Sequence, residues 1–128
     1  MKPRNGSASL EATEVAGENA KELLRGNTES LLLHLIAESG RIHGYHLIKE
    51  INRRSKGYFR FREGTVYPAL HKLETEGLIL GEWGARAGRQ QRRYYSITPK
   101  GREALSSRLR NWRAFAMAMD MVLQPDRA

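Results

Sequence analysis

The sequence predicts a mainly α fold of the α+β class, in which a small β-hairpin lies between a group of short helices and one long helix. Three observations predict it. Apolar residues recur at helical spacing in three short segments between residues 28 and 76. Two extended segments, 78–83 and 92–98, flank a stretch with two glycines and no apolar periodicity. A heptad-like apolar stripe then runs from residue 105 to residue 123.

Size and composition narrow the class of protein. The chain has 128 residues, which suits one domain, and its formal net charge of +8 favours a polyanionic partner: nucleic acid, a membrane surface or an acidic protein. The absence of cysteine excludes disulfides and thiolate metal sites. No segment has the length and apolarity of a membrane span, and no secretory signal is evident. We therefore expect a cytoplasmic protein with no membrane partner.

The N-terminal segment, residues 1–27, is predicted to be a tail followed by an accessory helix. Residues 1–9 are small, polar and basic. Between residues 10 and 25 a weak helical pattern places its apolar side chains on one side: Val15, Ala16, Ala20, Leu23 and Leu24. So much alanine makes a poor core alone, so this helix is expected to pack on another surface, with a partner chain as one candidate.

Two short core helices follow. The first is predicted to begin with Thr28 as N-cap and to end at Gly40, with an apolar stripe of Leu31, Leu32, Leu35 and Ile36. Residues 41–43 form a short extended link. The second helix begins at Gly44 and places at helical spacing Tyr45, Leu47, Ile48 and Ile51, leaving for solvent or phosphate Lys49, Asn52, Arg53 and Arg54. Residues 58–61 are predicted to be briefly extended.

The third helix is predicted to present a polar face to DNA. Its apolar stripe is Val66, Leu70 and Leu73, and Gly77 ends it. The opposite face carries groups that suit phosphates, base edges and the thymine methyl, namely Pro68, His71, Lys72 and Thr75, flanked by Thr65 and Tyr67. Because Pro68 restricts its predecessor, the helix either begins near Thr65 or begins near Arg62 and kinks. An ordinary amphipathic surface helix is the alternative.

The hairpin is predicted to be a basic wing beside the third helix. Four arginines lie at or near its tip with no acidic residue among them: Arg86, Arg89, Arg92 and Arg93. This composition favours phosphate contacts. The alternative is a solvated loop whose charges protect a sheet edge from aggregation. Three short helices followed by such a wing indicate a winged helix-turn-helix fold.

The last helix is predicted to form a dimer. Thr98 is its expected N-cap and Pro99 its first residue. Its seam steps by four and three residues through Leu105, Leu109, Trp112, Ala116, Met119 and Leu123, widened by Phe115, Met117 and Val122. The small winged unit has little surface to cover so long a stripe, so a second subunit is expected to bury it. A helix folded back on its own domain is the alternative.

Three segments of the sequence resemble the PadR family of bacterial transcriptional regulators. They are Gly64-Thr65-Val66-Tyr67-Pro68-Ala69-Leu70-His71-Lys72-Leu73-Glu74-Thr75-Glu76-Gly77-Leu78-Ile79, Leu31-Leu32-Leu33-His34-Leu35-Ile36-Ala37-Glu38 followed by His43-Gly44-Tyr45-His46-Leu47, and Arg93-Tyr94-Tyr95-Ser96-Ile97-Thr98-Pro99-Lys100-Gly101. The resemblance covers about residues 28–105. It implies a winged helix-turn-helix with flanking N- and C-terminal dimerisation helices: a DNA-binding domain at 28–98 and a dimerisation helix and tail at 99–128. It also implies a homodimer that binds double-stranded DNA at a pseudo-palindromic operator, usually as a repressor.

The family pattern implies roles for particular residues. Thr65, Tyr67, His71 and Lys72 would lie in the major groove, and the adjacent backbone or minor groove would be reached by Arg89, Gln91 and Arg92. Phosphates would be neutralised by Lys49, Arg53, Arg62, Lys72 and the wing arginines, Arg86 included. PadR-like dimers can enclose an apolar pocket for a small aromatic or drug-like effector between their C-terminal helices, which here Trp112, Phe115 and Met119 would line. Simple packing of the dimer core is the alternative.

Other functions find little support. The chain has no cysteine nucleophile, no Gly-x-Ser-x-Gly turn and no phosphate-binding glycine loop, so an enzyme is not expected. His43 and His46 have a spacing that can bind metal, but no third ligand is evident, and we expect neither metal nor cofactor. The remaining alternatives are a winged helix for protein–protein contact and a nonspecific RNA- or DNA-binding protein.

Overall fold

The chain forms four helices and a three-stranded antiparallel sheet, as seen in a computed structural model that describes residue 24 and residues 26–84 and 91–126. The elements, in chain order, are α1 (Thr28–Ser39), β1 (Ile42–His43), α2 (Gly44–Arg54), α3 (Glu63–Thr75), β2 (Ile79–Trp83), β3 (Arg93–Ile97) and α4 (Pro99–Leu123). The predicted mainly α fold with a small hairpin is confirmed. The helix predicted at residues 10–25 lies outside the described residues, except for Leu24.

Helix α1 is the centre of the core. Leu32, Leu33 and Ile36 are completely buried, because α1 contacts α2, α3, β3 and α4. Contact on so many sides explains why Leu33 is buried although the predicted stripe omitted it, while Leu31 is only half-buried. Thr28 is not the N-cap: it is the first helical residue, and Asn27 precedes it without a side-chain capping bond.

Helix α2 buries Leu47, Ile48 and Ile51 as predicted, but Tyr45 is 49% exposed and lies off this stripe. The loop after α2 is fixed by Asn52, which was expected to face solvent or phosphate. Its amide nitrogen donates to the Phe61 carbonyl at 3.1 Å, and its amide oxygen accepts from the Phe61 N–H at 2.8 Å. Residues 58–61, predicted to be extended, form no strand, and Phe61 is buried in the core.

The sheet has one strand more than the predicted hairpin. Strand order is β1–β3–β2, with Ile42 opposite Tyr95 in one pair and Ile79 opposite Ile97 in the other. The additional strand, β1, is the two-residue link between α1 and α2, which is too short to show an alternating pattern. Its pairing joins the beginning of α2 to the hairpin.

A set of hydrogen bonds joins the end of α3 to the beginning of α4. The Thr98 hydroxyl accepts from the Gly101 N–H at 2.9 Å, which confirms the predicted N-cap, and it donates to the Gly77 carbonyl at 2.7 Å. Lys100 Nζ donates to the Glu76 carbonyl at 3.0 Å. Gly101 is buried directly against the Leu78 carbonyl oxygen. Only a residue without a side chain fits between α4 and this turn.

Helix α4 leaves its own domain about halfway along its length. Leu105 is 9% exposed and Leu109 packs on the core, so these two residues of the predicted dimer seam lie at least partly in the domain's own core. From Trp112 to Leu123 the side chains are exposed, apart from half-buried Ala116. Helix α4 therefore does not fold back over its own domain.

The contact at Gly101 predicts that alanine is destabilising at this helical position. Alanine normally stabilises a helix relative to glycine by about 0.5–1 kcal/mol. At Gly101 the added methyl would meet the Leu78 carbonyl, a backbone group that cannot move without displacing the turn. We expect Gly101→Ala to lower the free energy of unfolding by about 1–3 kcal/mol in a denaturant titration.

Gly64→Ala is the matched control. Gly64 lies in α3 with nothing within 4 Å of an added Cβ, so this substitution should leave stability unchanged or raise it by up to ~1 kcal/mol. Equal stabilisation by both substitutions would show that α4 does not pack against the turn as described.

Candidate nucleic-acid interface

The outer face of α3 is open to solvent along its length. Val66, Leu70 and Leu73 are completely buried on the inner side, and Gly77 adopts the positive φ of 79° that ends the helix. The predicted polar face is exposed: Thr65, Tyr67, Pro68, His71, Lys72 and Thr75. Burial of one stripe thus leaves hydroxyl, imidazole and ammonium groups on the other, which are suitable for contacts to phosphates and base edges.

Helix α3 begins earlier than one of the two predicted starts. Arg62 is its N-cap residue with an extended backbone, and helical hydrogen bonds begin from the Arg62 carbonyl. Pro68 lies inside an uninterrupted helix from Glu63 to Thr75. Because proline has no N–H, the Gly64 carbonyl lacks its usual helical donor. This carbonyl belongs to an exposed residue at the beginning of the helix, where solvent or a ligand can satisfy it.

Tyr67 connects α3 to the beginning of α2. Its ring lies against Gly44, where an added Cβ would be 2.7 Å from the ring, and 40% of Tyr67 is exposed. Partial burial, helped by the nearby Glu63 carboxylate, raises the pKa of Tyr67. The phenol is therefore held in its neutral form, with a hydroxyl that can both donate and accept.

His43 is the capping residue of α2. Its Nδ1 accepts from the His46 N–H at 3.2 Å and so caps α2. Within the described ranges no group of three metal-binding side chains occurs. Burial, the Arg92 charge and His46 lower the pKa of His43, so its imidazole is neutral near pH 7.

A cationic and aromatic surface surrounds this histidine. Arg92 Nη1 lies 3.2 Å from His43 Nε2, and the Tyr45 ring is stacked parallel to the imidazole at 6.5 Å. Lys49 Nζ is 5.4 Å from the Tyr45 ring centroid. Between this surface and Tyr67 lies a cleft of about 630 Å³, which also borders Glu63. Two cations and exposed phenols beside the polar face of α3 are suited to a nucleic-acid backbone.

Two of the hairpin residues near its tip have structural partners. Arg93 forms an ion pair with Glu74 of α3 at 2.5 Å, and its guanidinium carbon lies 5.3 Å from the Trp83 ring centroid. Gln91 donates to the Gly84 carbonyl at 3.1 Å, just beyond the last strand pair. Arg93 therefore connects the hairpin to α3, unlike Arg92. Arg86 and Arg89, predicted to contact DNA, lie outside the described residues.

The basic end of α2 is already paired. Glu50 accepts hydrogen bonds from Arg53 and Arg54, which lower the pKa of Glu50 to about 2. Arg54 also contacts Glu38 of α1 at 2.6 Å. Arg53 was expected to neutralise a phosphate. Its ion pair with Glu50 makes it less available for that contact. Lys49 and Arg62 are exposed, and neither forms an ion pair with another of the described residues.

Lys72 lies at the edge of the polar face that is closest to α1. Its ammonium is 3.0 Å from Glu29 Oε2, and 60% of its side chain is exposed. His71, in contrast, is exposed and forms no ion pair with any of the described residues. These two neighbours on the polar face therefore differ: His71 is open to solvent, whereas Lys72 is held in an ion pair.

Sequence reasoning missed the role of Tyr45. It was assigned to the apolar stripe of α2, whereas the structure places it beside Arg92 and Lys49. The helical spacing itself places Tyr45 off the apolar stripe. At 100° per residue, Tyr45 lies about 110° around the helix from the mean direction of Leu47, Ile48 and Ile51.

A three-helix bundle with a polar third helix beside a basic hairpin defines a winged helix-turn-helix protein of the DNA-binding class. The chain belongs to the transcriptional regulator PadR-like family, which it matches over residues 32–107. The resemblance drawn from its motifs is thereby confirmed, and the family is one of transcriptional regulators and not of enzymes. None of the described helices is long and apolar enough to cross a membrane.

Individual relatives agree with the family. The chain is 38% identical over 86 residues to transcriptional regulator Rv3488 of Mycobacterium tuberculosis, covering 67% of this chain and 76% of that protein. The structure of a PadR-like transcriptional regulator from Bacillus cereus (BC4206) matches with a TM-score of 0.71 at 30% identity, covering 82% of this chain and 99% of that one. A PadR family regulator from Eggerthella lenta gives a TM-score of 0.73 at 26% identity, covering 88% and 96%.

Proposed function

We propose that this protein is a sequence-specific repressor that binds a pseudo-palindromic operator as a homodimer in the cytoplasm. The observation that carries the proposal is the exposed polar face of α3 beside the cationic surface of Arg92 and Lys49. The twofold symmetry of a homodimer would place two such helices in successive major grooves, about one helical turn apart.

The residues divide into those that position the protein and those that read sequence. Lys49, Arg62 and Arg92 neutralise phosphates, and the hydroxyls of Thr65 and Tyr67 position the backbone. His71 and Lys72 contact base edges, Lys72 also pairs with a phosphate, and Pro68 is suited to a thymine methyl. Arg86 and Arg89, with Gln91 beside the hairpin tip, extend the interface along the adjacent DNA backbone or minor groove.

The exposed half of α4 supports a dimer. Trp112 is 49% exposed, Phe115 64% and Leu123 70%, although Trp112 and Leu123 lie on the predicted seam and Phe115 widens it. At 1.5 Å per residue this half of the helix is about 18 Å long. An apolar surface of this length on a helix that leaves its own domain is suited to pairing with a second copy. Ala116 and Met119 lie on the same seam.

The proposed effector site lies beside α4. A groove of about 380 Å³ lies at the base of the exposed half of α4, and its apolar walls include Leu31, Phe59 and Trp112. His34 and Arg113 also line it. An aromatic ligand in this groove would contact both the DNA-binding domain and α4. It would thereby bias the spacing of the two α3 helices in the dimer.

Binding to DNA tests the central proposal. Purified protein is titrated with its own upstream intergenic DNA and with unrelated DNA at two salt concentrations. We expect a preference of ~10³ or more that persists at the higher salt, and protected half-sites about one turn apart. Lys49→Gln and Arg92→Gln should weaken binding to both DNAs and reduce the salt slope by about two per dimer.

Lys56→Gln is the control for charge, because this exposed lysine lies in the loop after α2 and outside the proposed interface. Equal binding to both DNAs, lost together as salt rises, would contradict the proposed repressor and favour a nonspecific nucleic-acid-binding protein. No binding to either DNA would leave a winged helix for protein–protein contact.

The proposed dimer is tested by a pair of charge substitutions. Met119→Glu places a charge on the seam and should raise the dimer dissociation constant at least about a hundredfold, because the carboxylate would be buried without a partner. Met121→Glu places the same charge about 160° around α4 from Met119 and should leave the dimer intact. Sedimentation or light scattering measures both. Equal behaviour of the two variants, or a monomeric wild-type protein, would contradict the seam.

The proposed effector groove is tested by tryptophan fluorescence. In a Trp83→Phe variant the only tryptophan is Trp112, so its quenching by 1-anilinonaphthalene-8-sulfonate reports on the groove. We expect saturable quenching that Leu31→Gln weakens, because Leu31 lines the groove. Quenching that is linear in concentration, or unaffected by Leu31→Gln, would count against a site here.

A further inference from the structure

Glu29 lies between α3, the proposed DNA-reading helix (the reading helix), and α4, the proposed dimer helix. Its Oε2 is 3.0 Å from Lys72 Nζ of α3, and its Oε1 is 3.1 Å from Arg108 Nη2 of α4. Each carboxylate oxygen thus serves one cation, and Glu29 itself belongs to the first turn of α1. One anion therefore joins three helices at the edge of the polar face.

The three side chains differ in exposure in a way that sets their mobility. Glu29 is 17% exposed, Arg108 33% and Lys72 60%. The carboxylate is held in place, whereas the lysine stem can turn outward. Exposed ion pairs of this kind are weak and are easily exchanged for other partners. A DNA phosphate is such a partner for Lys72.

The hydrogen bond and charge of Glu29 raise the pKa of Lys72, with Glu76 adding a smaller effect. The ammonium is therefore fully charged at neutral pH. Its availability to DNA depends on position and not on protonation.

We propose that Glu29 is an affinity-setting residue that competes with DNA phosphate for Lys72, and that Arg108 determines how strongly it competes. The inference rests on the proposed DNA-binding function and adds to it a residue outside the DNA-contacting set. Binding through Lys72 requires this pair to open, so Glu29 lowers the affinity of the protein for DNA.

Arg108 makes this competition depend on α4. While Arg108 donates to Glu29, the carboxylate is shared between two cations and holds Lys72 less strongly. A displacement of α4 that removes Arg108 leaves the whole charge of Glu29 to Lys72. Dimer rearrangement is thereby coupled to the reading helix through one carboxylate, because both helices bias the same pair.

Substitutions at the three positions test the inference with full-length protein and duplex DNA. Glu29→Gln should tighten binding about three- to tenfold at low salt, and the gain should shrink as salt screens the charges. Arg108→Gln should weaken binding. Both effects should vanish in a Lys72→Gln background, because the competition acts through that side chain.

Matched charge changes serve as controls. Glu38→Gln removes the same charge from α1, but Glu38 pairs with Arg54 and not with α3. Arg110→Gln removes the same charge from α4, where Arg110 contacts Ser106. If Glu29→Gln acts no differently from Glu38→Gln, or Arg108→Gln no differently from Arg110→Gln, net charge explains the result and the inference is overturned.

A measurement without DNA separates this inference from the proposed function. In the free protein, side-chain nitrogen NMR should show the pKa of Lys72 falling in Glu29→Gln and rising in Arg108→Gln. A Lys72 pKa that neither substitution changes would overturn the inference even if the wild-type protein prefers its operator. If the Lys72 pKa shifts occur but the protein shows no preference for its operator, only the proposed repressor function is contradicted.

Discussion

The junction between α3 and α4 is the constraint on which the arrangement of this protein depends. Thr98 bonds both to the turn that ends α3 and to the first turn of α4, and Gly101 allows the two backbones to touch. The reading helix therefore cannot change its angle to α4 without losing these contacts. Since α4 carries the exposed apolar seam, its pairing in the proposed dimer would fix the distance and angle between two reading helices.

A second set of contacts makes the hairpin part of the same rigid unit. Arg93 pairs with Glu74, Tyr67 lies against Gly44, and β1 joins the beginning of α2 to β3. The base of the wing, the polar face of α3 and the first turn of α2 are consequently held at fixed separations. A rigid surface of this kind favours recognition of one DNA geometry, because little conformational freedom is lost on binding.

The sequence predicted those parts of the fold that rest on periodicity. The stripes of α3 and α4, the hairpin and the Thr98 cap all follow from local spacing or local chemistry. It could not predict β1, whose two residues show no pattern, nor the division of α4 at Trp112, which depends on where the domain core ends. Likewise, periodicity identified the polar face of α3, and strand alternation places Arg92 and Arg93 on opposite faces. The sequence could not show which of them would meet Glu74, because that depends on the tertiary packing of the hairpin against α3.

This separation of neighbouring cations is also a division of labour. Arg53, Arg54 and Arg93 are held by glutamates, while Arg92 lies on uncharged rings and Lys49 lies beside a phenol. A charge held by a carboxylate must give up that partner before it contacts phosphate, whereas one resting on an aromatic ring keeps its attraction for an anion. The total of 22 lysines and arginines therefore overstates the number of cations available to phosphate. Among the described residues, Arg92 and Lys49 remain available beside the polar face of α3, where a duplex lying along that face would bring its backbone.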